Sequence, residues 1–417
     1  MTLQTKTELV SGHCFQQPIC FSGQQLMWAG ESAQDWMARS EGSACYVYDM
    51  AVARRQVEQL RSQLPDSFDI FYAVKANPNP EVLSALEAVV DGVDVASIGE
   101  LERAMAAGFS ADQVSFAGPA KLVDEIERTL ALGGHLSVES LIEMQRVISW
   151  ANHNQQQVAV GVRLNPQFQL KASGMHMGGG AQPFGIDEEQ FADLVALVKA
   201  SPLVSISGLH IYAGSQCLQL DALVEQFRQS LLCFKRLSEE HQLTVTKLNF
   251  GGGIGVPYFP NNKPVDLVEY GQAIRSIVNE HQAFVVDKSI ILELGRYIMA
   301  EAGVYLCQVT DVKSSRGQLF AMVNGGMHHH LANSGNLGQL LKKNYPIVVA
   351  NKMASEAAER VTICGPLCTP LDVLARQLEV PKLDLGDIIA IFQSGAYGLT
   401  ASPNQFLSHN SALEWVV

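Results

Sequence analysis

Short apolar segments that alternate with helical stretches are the feature that most constrains the fold of this chain. Each segment is rich in β-branched or aromatic residues, a composition typical of strands. The segments lie at residues 69–77, 92–97, 114–119, 135–140, 158–166, 205–214, 246–253 and 289–297. The stretches between them, such as PEVLSALEAV and IGELERAMAAG, place apolar residues at i, i+3 and i+4, which predicts helices. This alternation predicts parallel strands that are covered by helices.

Eight strand-and-helix units within about 245 residues favour a (β/α)8 barrel, since barrels of this type need about 250 residues. An open doubly wound sheet is the alternative that the same alternation allows. The chain before residue 50 and after residue 297 does not continue the pattern. Short β-like runs broken by Gly, Pro and Asn predict an antiparallel β domain there.

Charge and cysteine content exclude several classes of function. The 417 residues include 29 Lys and Arg against 42 Asp and Glu, a net charge of −13, so we expect no nucleic-acid partner. The eight cysteines are scattered without a C-x-x-C pair, which indicates reduced thiols in a cytoplasmic protein. The first residues, MTLQTKTELV, lack the pattern of a signal peptide, and no uncharged apolar run approaches the roughly 18 residues of a membrane span. We therefore expect no membrane partner.

Charged and small residues follow the predicted strands, where a barrel enzyme places its active site. In chain order they are Lys75, Asp94, Glu100, Arg163, Ser215, Gly251–Gly253, Glu293 and Arg296. Lys75 suits Schiff-base chemistry, although a lysine at a strand end can equally extend into water. The three glycines can hold a phosphate together with Arg296, or they can form only a tight turn. Taken together, these residues predict a phosphorylated cofactor that is held opposite a lysine.

Six motifs in order along the chain resemble a single enzyme family. FYAVKANPNP, HIYAGSQ, NFGGGIG, ELGRYIMA, GPLCTPLD and GAYG are similar to motifs of the fold-type III pyridoxal-phosphate decarboxylases, which act on ornithine, arginine or diaminopimelate. The resemblance implies an α/β fold with a (β/α)8 barrel of the alanine-racemase type over 48–295. It also implies a β-sandwich domain formed by both chain ends, 1–47 with 296–417, and a homodimer with active sites completed across the interface.

The same resemblance assigns roles to individual residues. Lys75 would bind pyridoxal 5'-phosphate as a Schiff base, and Glu293 would pair with its pyridine nitrogen. The other cofactor contacts would come from Asp94, Arg163, Tyr212, Ser215, Gly252, Gly253, Arg296 and Tyr397. A carboxylate that keeps the ring nitrogen protonated makes the ring an electron sink, which favours a decarboxylase over an alanine-type racemase. Cys368, supplied by the partner subunit, would be a catalytic proton donor, although it could also be a small buried residue.

Departures from the family pattern concern the substrate. Relatives that act on diamino acids carry an acidic residue after the motif cysteine, where this chain has Thr369, and the Asp of the ornithine-type motif is replaced by Gly325. Both changes remove negative charge that would pair with a distal ammonium group. The runs SGMHMGGGAQPFGID and GAYGLTASPNQFLSH further resemble a subgroup that contains the butirosin-pathway decarboxylase. That enzyme acts on a glutamyl group tethered to an acyl-carrier protein.

The sequence therefore predicts a pyridoxal-phosphate-dependent α-decarboxylase of an aminoacyl group on an acyl-carrier protein. Two alternatives stay open: decarboxylation of a free diamino acid such as diaminopimelate or ornithine, and a non-catalytic homologue with a regulatory role. The Gly-rich insertion 167–187 either borders the site entrance or forms a surface loop. No metal is expected at His328–His330, because consecutive residues of a strand point to opposite faces and no second ligand cluster has a matching spacing.

Overall fold

A computed structural model describes residues 4–9, 13–168, 175–176, 178–337 and 342–417 of the chain. It contains two compact units. The barrel unit consists of Arg55–Val256 and Val265–Gly295, and the β unit consists of Met1–Arg54, Pro257–Pro264 and Arg296–Val417.

The secondary structure of the described residues alternates strands and helices in the barrel unit and is mostly strand in the β unit. The strands are β1 Gln4–Leu9, β2 His13–Ser22, β3 Gln25–Trp28, β4 Glu31–Ser32, β5 Cys45–Tyr48, β6 Phe68–Ala73, β7 Gly92–Val95, β8 Val114–Phe116, β9 His135–Val138, β10 Val158–Asn165, β11 Met175–His176, β12 Ile186–Asp187, β13 Val204–His210, β14 Gly214–Ser215, β15 Lys247–Asn249, β16 Ser289–Leu294, β17 Gly303–Ser315, β18 Gln318–Val323, β19 Ile347–Val349, β20 Glu359–Cys364, β21 Val373–Val380, β22 Ile388–Ile391 and β23 Leu413–Val416. The α-helices are α1 Ala33–Arg39, α2 Met50–Gln63, α3 Pro80–Glu87, α4 Ile98–Ala106, α5 Val123–Leu132, α6 Leu141–Asn154, α7 Phe191–Lys199, α8 Leu220–His241, α9 Leu267–Glu280, α10 Gln282–Val285 and α11 Arg296–Met299. Short 3-10 helices lie at Val74–Ala76, Ala111–Gln113, Glu188–Gln190, Ala300–Ala302, Leu399–Ala401 and Phe406–Ser408. Within the described residues, no helix combines the length and the hydrophobicity needed to cross a bilayer.

Eight parallel strands close into a barrel. Their order around the barrel is β6, β7, β8, β9, β10, β13, β15 and β16. The circle closes where β16 pairs with β6 in a parallel register that sets Glu293 opposite Phe71. The eight apolar segments therefore form the predicted barrel, and the open doubly wound alternative is wrong, because the first and last strands of such a sheet do not pair with each other.

Helix starts in the barrel unit follow from capping residues. The predicted segments PEVLSALEAV and IGELERAMAAG form α3 and α4. Asn79 accepts hydrogen bonds from the first amides of α3, and Pro80 occupies its first turn, where its missing N–H costs nothing. Ser97 accepts from the amide of Glu100 at the start of α4. These caps fix where each helix leaves the carboxyl end of the preceding strand.

The amino-terminal end of the barrel is packed around a partly buried histidine. His135 begins β9, and a Cβ atom at Gly161 would lie 2.8 Å from its ring. Glycine at that position therefore lets the imidazole fill the barrel interior. Burial, together with the charges of Lys247 and His210, lowers the pKa of His135 to about 3. The ring is thus neutral and acts as packing.

Two sheets build the β unit. Strands β1 to β4 form an antiparallel meander, and a larger sheet runs β19, β22, β17, β18, β20 and β21. Strand β5, near the start of the chain, pairs with β17 and with the C-terminal strand β23. Trp36, Phe392 and the aliphatic residues around them form a buried core. The sequence prediction of a β domain outside the barrel is confirmed, but the domain is not wholly antiparallel, because β18 pairs with β20 and β5 pairs with β23 in parallel.

Helix packing in the barrel unit predicts that alanine changes the thermal stability differently at two helical glycines, Gly271 and Gly99. In α9, a Cβ at Gly271 would overlap the carbonyl oxygen of Gln63, and such overpacking costs about 1–3 kcal/mol. We expect Gly271→Ala to lower the thermal unfolding temperature. Gly99→Ala in α4 is the control, because the nearest atom to its Cβ would be 3.8 Å away and alanine is the better helix former by about 0.5–1 kcal/mol. Equal unfolding temperatures for the two variants would contradict the close contact at Gly271.

Candidate active site

Lys75 and Asp94 form an ion pair at the carboxyl end of the barrel strands. Lys75 lies in the 3-10 turn after β6, and its Nζ is 3.2 Å from Oδ2 of Asp94 in β7. The lysine side chain is 42% exposed, whereas Asp94 is buried. Burial raises the pKa of Asp94, the charge of Glu293 raises it further, and Lys75 acts in the opposite direction. The lysine amine is therefore accessible and has a proton acceptor beside it.

Glu100 lies near Asp94, at the turn between β7 and α4, and it contacts the backbone of that turn. Its Oε2 accepts a hydrogen bond from the amide of Ala96 at 2.7 Å. Burial raises the pKa of Glu100, and the bond from Ala96 partly offsets this effect. The carboxylate thus fastens the turn between β7 and α4.

Glu293 is a second buried carboxylate of the group. It lies in β16, and its Oε1 accepts from Nδ2 of Asn249 at 2.5 Å. Its Oε2 lies 3.4 Å from Nε2 of His210. Burial alone would raise the pKa of Glu293, but His210, Lys75 and the bond from Asn249 outweigh it and lower the pKa. The carboxylate is consequently ionised although it is buried.

Arg163 and Tyr212 form a second side of the site. Arg163 in β10 donates from Nη1 to Oε1 of Glu139 at 3.0 Å. Its guanidinium lies 5.9 Å from the centre of the Tyr212 ring and 5.2 Å from that of Phe184. Lys75 Nζ lies 5.7 Å from the Tyr212 ring on the same unit. Two residues predicted from the sequence, Lys75 and Arg163, thus lie near the aromatic ring of a third, Tyr212.

The glycine run after β15 approaches the neighbouring strands closely. A Cβ at Gly252 would overlap the carbonyl oxygen of Glu293, and Gly253 adopts a φ of +126°. Among the described residues, the amides of Gly252 and Gly253 have no hydrogen-bond acceptor. Ser215 is buried nearby in β14, and a Cβ at Gly253 would lie 3.2 Å from the carbonyl oxygen of Gly214. The arrangement leaves backbone donors and one hydroxyl for an anion.

The Gly-rich insertion borders this site in the part that the structure describes. Residues 169–174 and 177 lie outside the described residues. Strand β11 pairs antiparallel with β14, so that Met175 is opposite Ser215. Farther along, the amide of Gly185 donates to Oε2 of Glu139, the same carboxylate that holds Arg163. The insertion is therefore attached to two of the strand ends that carry candidate residues.

In the β unit, Arg296 is held between two tyrosines. Its guanidinium lies 4.4 Å from the centre of the Tyr397 ring, and its Nη1 donates to the hydroxyl of Tyr258 at 3.3 Å. Its Nε is buried and has no hydrogen-bond partner among the described residues. Tyr397 has a φ of +55°, a left-handed conformation that costs about 1–2 kcal/mol for a residue with a side chain. Tyr258 was missed from the sequence, because no periodic pattern or motif marks the segment after NFGGGIG.

Cys368 and Thr369 lie on another loop of the β unit. Cys368 is exposed, and the hydroxyl of Thr369 accepts from the amide of Leu371. The buried carboxylate of Asp372 holds the loop by accepting from the amides of Leu367 and Met327. Asp372 was also missed, although it ends the motif GPLCTPLD. Its role depends on backbone contacts that a sequence pattern does not report.

The histidine run lies in a turn and not in a strand, so the prediction that its side chains point to opposite faces of a strand is wrong. The rings of His328 and His329 are 3.8 Å apart and do not point to opposite faces. His329 places Nδ1 2.9 Å from the Tyr305 hydroxyl and Nε2 2.8 Å from the carbonyl oxygen of Asn410. His330 Nε2 lies 2.9 Å from the hydroxyl of Ser394. In the described ranges, no three His, Cys, Asp or Glu residues are arranged to hold a metal.

The residues present fit pyridoxal phosphate. In the barrel unit, an accessible lysine lies beside a carboxylate whose second oxygen, Asp94 Oδ1, is buried without a hydrogen-bond partner in the described part of the chain. The same unit supplies a buried ionised carboxylate and a glycine turn with unused amides. In the β unit, the buried Nε of Arg296 is a donor suited to a phosphate oxygen.

Comparison with known proteins gives one consistent family. Residues 50–300 match the family described as pyridoxal-dependent decarboxylase, pyridoxal binding domain. L-glutamyl-[BtrI acyl-carrier protein] decarboxylase of Niallia circulans is 34% identical over 88% of this chain and 87% of its own length. 2-[(L-alanin-3-ylcarbamoyl)methyl]-2-hydroxybutanedioate decarboxylase of Staphylococcus aureus is 28% identical over 89% of this chain and 93% of its own. The solved structure of diaminopimelate decarboxylase from Helicobacter pylori with L-lysine is 29% identical, covers 92% of this chain and 94% of its own, and has a TM-score of 0.82.

Because Nε of Arg296 has no hydrogen-bond partner among the described residues, we expect replacement of Arg296 to weaken phosphate binding selectively. We expect Arg296→Met to weaken the affinity for pyridoxal phosphate about 10- to 100-fold, the effect of losing hydrogen bonds to a charged group. Affinity for pyridoxal, which lacks the phosphate, is expected to stay the same. Absorbance titration of the purified protein measures both constants, and Arg360→Met, an exposed arginine paired with Glu379, is the control. An equal loss for pyridoxal and pyridoxal phosphate would show that Arg296 does not bind the phosphate.

Proposed function

Because this chain belongs to the pyridoxal-dependent decarboxylase family, we propose that it removes the α-carboxylate of an amino acid whose distal end is acylated, a glutamyl-type group on an acyl-carrier protein. The chain is a pyridoxal-phosphate-dependent decarboxylase. Pyridoxal phosphate supplies an electron sink for the pair of electrons released when the bond between Cα and the carboxylate breaks.

The residues of the barrel unit divide the work of holding this cofactor. In the proposal, Lys75 binds the cofactor through its amine, and Asp94, 3.2 Å from Nζ, holds the proton that the amine exchanges. Glu293 is ionised in a buried position and is suited to hold a ring nitrogen in its protonated form. Tyr212 offers an aromatic face, and Arg163 lies beside that face, fixed by Glu139.

The phosphate and the final proton require other groups. We assign phosphate binding to Ser215, Gly252, Gly253, Arg296 and Tyr397, because they supply amides, hydroxyls and a buried guanidinium. Cys368 is assigned as the proton donor to the product carbon, and its exposure supports a role outside its own subunit. The homodimer that this role needs stays a prediction.

The substrate proposal is carried by the absence of an acidic residue at Gly325. A Cβ at this position would overlap the hydroxyl of Tyr305, which lies 2.9 Å from Nδ1 of His329. Tyr305, His329 and Gly325 are all buried. Since a carboxylate side chain has no room there, the unit cannot offer negative charge to a distal ammonium at this position. Thr369, at the second such position, is likewise uncharged.

Two of the relatives act on compounds without a free distal ammonium, according to their names. The Niallia circulans enzyme acts on a glutamyl group attached to a carrier protein, and the name of the Staphylococcus aureus enzyme places a carbamoyl group on the distal nitrogen. Diaminopimelate decarboxylases, which act on a free diamino acid, are also similar to this chain at 31% identity. The uncharged Gly325 and Thr369 favour the first type of substrate.

Carbon dioxide release from matched substrates tests the proposal. Purified protein loaded with pyridoxal phosphate is given glutamyl-acyl-carrier protein, free glutamate, diaminopimelate or ornithine. We expect turnover of the tethered glutamyl group and at least about 100-fold lower kcat/KM for the free amino acids, because remote binding energy is lost with the carrier. Lys75→Ala is the control and is expected to lose both the visible absorbance of the bound cofactor and all turnover. Preference for diaminopimelate or ornithine would contradict the proposed substrate class.

The packing around Gly325 predicts that an acidic residue is tolerated less well at position 325 than at position 369. Gly325→Asp is expected to lower stability by at least about 1–3 kcal/mol, because the new side chain would overlap the Tyr305 hydroxyl and bury a charge. Thr369→Asp is the matched variant: Thr369 is only half-buried on its loop, so this protein is expected to fold normally. Thermal unfolding compares the two. An unchanged unfolding temperature for Gly325→Asp would show that the position can accept an acidic residue.

A further inference from the structure

Glu293 is held by side chains on two neighbouring strands and not by solvent. Asn249, the last residue of β15, donates from Nδ2 to Glu293 Oε1 at 2.5 Å. The orientation of this amide is fixed, because its Oδ1 accepts from the amide of Gly251 at 2.8 Å. One carboxylate oxygen of Glu293 is therefore locked by a strand end that also starts the glycine turn.

The other oxygen of Glu293 faces His210. This histidine ends β13, is buried, and has its Nε2 3.4 Å from Glu293 Oε2. In the described part of the chain, Nε2 has no hydrogen-bond partner, and Glu293 Oε2 is the acceptor that lies near it. On the opposite side of the ring, Nδ1 lies 3.4 Å from the hydroxyl of Ser137 in β9. A serine hydroxyl can donate to Nδ1, which leaves the ring proton on Nε2, directed at the carboxylate.

Burying a histidine in this position needs an explanation beyond packing. A polar nitrogen buried without a hydrogen bond costs about 1–3 kcal/mol, and an apolar residue would fill the same volume without that cost. Catalytic hydrogen bonds are often long before ligand binds and shorten once the site is filled. The 3.4 Å separation is compatible with such a bond.

We propose that His210 is a positioning residue that donates from Nε2 to Glu293 and keeps this carboxylate ionised and oriented toward the ring nitrogen of the cofactor. The inference rests on the proposed role of Glu293. Each carboxylate oxygen can accept more than one hydrogen bond, so Asn249 and His210 leave a lone pair for the ring N–H. No proton needs to move from His210. Its function is to make the Glu293 carboxylate a weaker base than the ring nitrogen of the cofactor, so that the proton stays on the nitrogen.

Other charged groups near Glu293 cannot replace this contact. Lys75 and Asp94 are the charged groups on the neighbouring strand ends, and they face one another at 3.2 Å. The charge of His210 helps to lower the pKa of His135, but His135 lies at the start of β9, where its Nε2 is 3.4 Å from the Ser207 hydroxyl. Only His210 brings a nitrogen with no other partner in the described residues to Glu293 Oε2.

The test uses the ring nitrogen itself as the reporter. The protein is loaded with 15N-labelled pyridoxal phosphate, and the chemical shift of the ring nitrogen shows whether it is protonated. His210→Leu removes the donor, and His210→Gln keeps an N–H group near the position of Nε2. His135→Gln is the control, because it changes a partly buried histidine of the same barrel that does not contact Glu293. Thermal unfolding confirms that each variant is folded.

We expect His210→Leu to move the 15N shift toward that of a neutral pyridine and to lower kcat roughly 10- to 100-fold with little change in KM, the effect of losing a hydrogen bond to a charged group. His210→Gln should restore much of the 15N shift of the protonated ring and much of kcat. His135→Gln should leave the 15N shift unchanged. If His210→Leu folds and binds cofactor but keeps the protonated shift, His210 does not act through Glu293.

Glu293→Gln separates failure of this inference from failure of the proposed function. If Glu293 pairs with the ring nitrogen, Glu293→Gln should give the 15N chemical shift of an unprotonated ring nitrogen. A protonated shift in Glu293→Gln would overturn the role assigned to Glu293, and with it the basis for His210. A neutral shift in Glu293→Gln together with an unchanged shift in His210→Leu would overturn the inference alone.

Discussion

The chemistry of the barrel unit depends on one buried negative charge, the carboxylate of Glu293. Burying a carboxylate strongly disfavours its ionised form unless nearby groups compensate. Here the compensation comes from Asn249, His210 and Lys75, which together lower the pKa of Glu293 while Asp94 beside it has a raised one. The pKa values of these two carboxyl groups are thus shifted in opposite directions, a division typical of acid-base sites.

This charge can be buried because four consecutive parts of the barrel meet at its carboxyl end. Strand β13 brings His210, β15 brings Asn249, β16 carries Glu293, and the turn after β6 brings Lys75. Pairing of β16 with β6 closes the circle and brings the last of these elements beside the first. In an open doubly wound sheet the first and last strands would not pair with each other, so closure of the barrel is the step that creates the site.

Much of this arrangement could be predicted from local patterns. Strand and helix periodicity predicted the eight barrel strands, and charged residues at strand ends predicted Lys75, Asp94 and Glu293 as neighbours. The contributions of Asn249, Tyr258 and Asp372 could not be predicted in this way, because each acts through a hydrogen bond to a residue that is distant in sequence. The strand assumed for His328–His330 was wrong for a related reason, because the backbone turns there.

The sequence by itself determined the alternation of strands and helices, the types of residue at the strand ends, and the loss of acidic residues at Gly325 and Thr369. These properties depend on local composition and on spacing, which a chain carries before it folds. The tertiary structure alone decided that His210 faces Glu293, that Tyr305 occupies the space beside Gly325, and that Arg296 keeps an unpaired donor between two tyrosines. Those facts depend on distances between residues that lie far apart in the chain, and only packing brings such residues together.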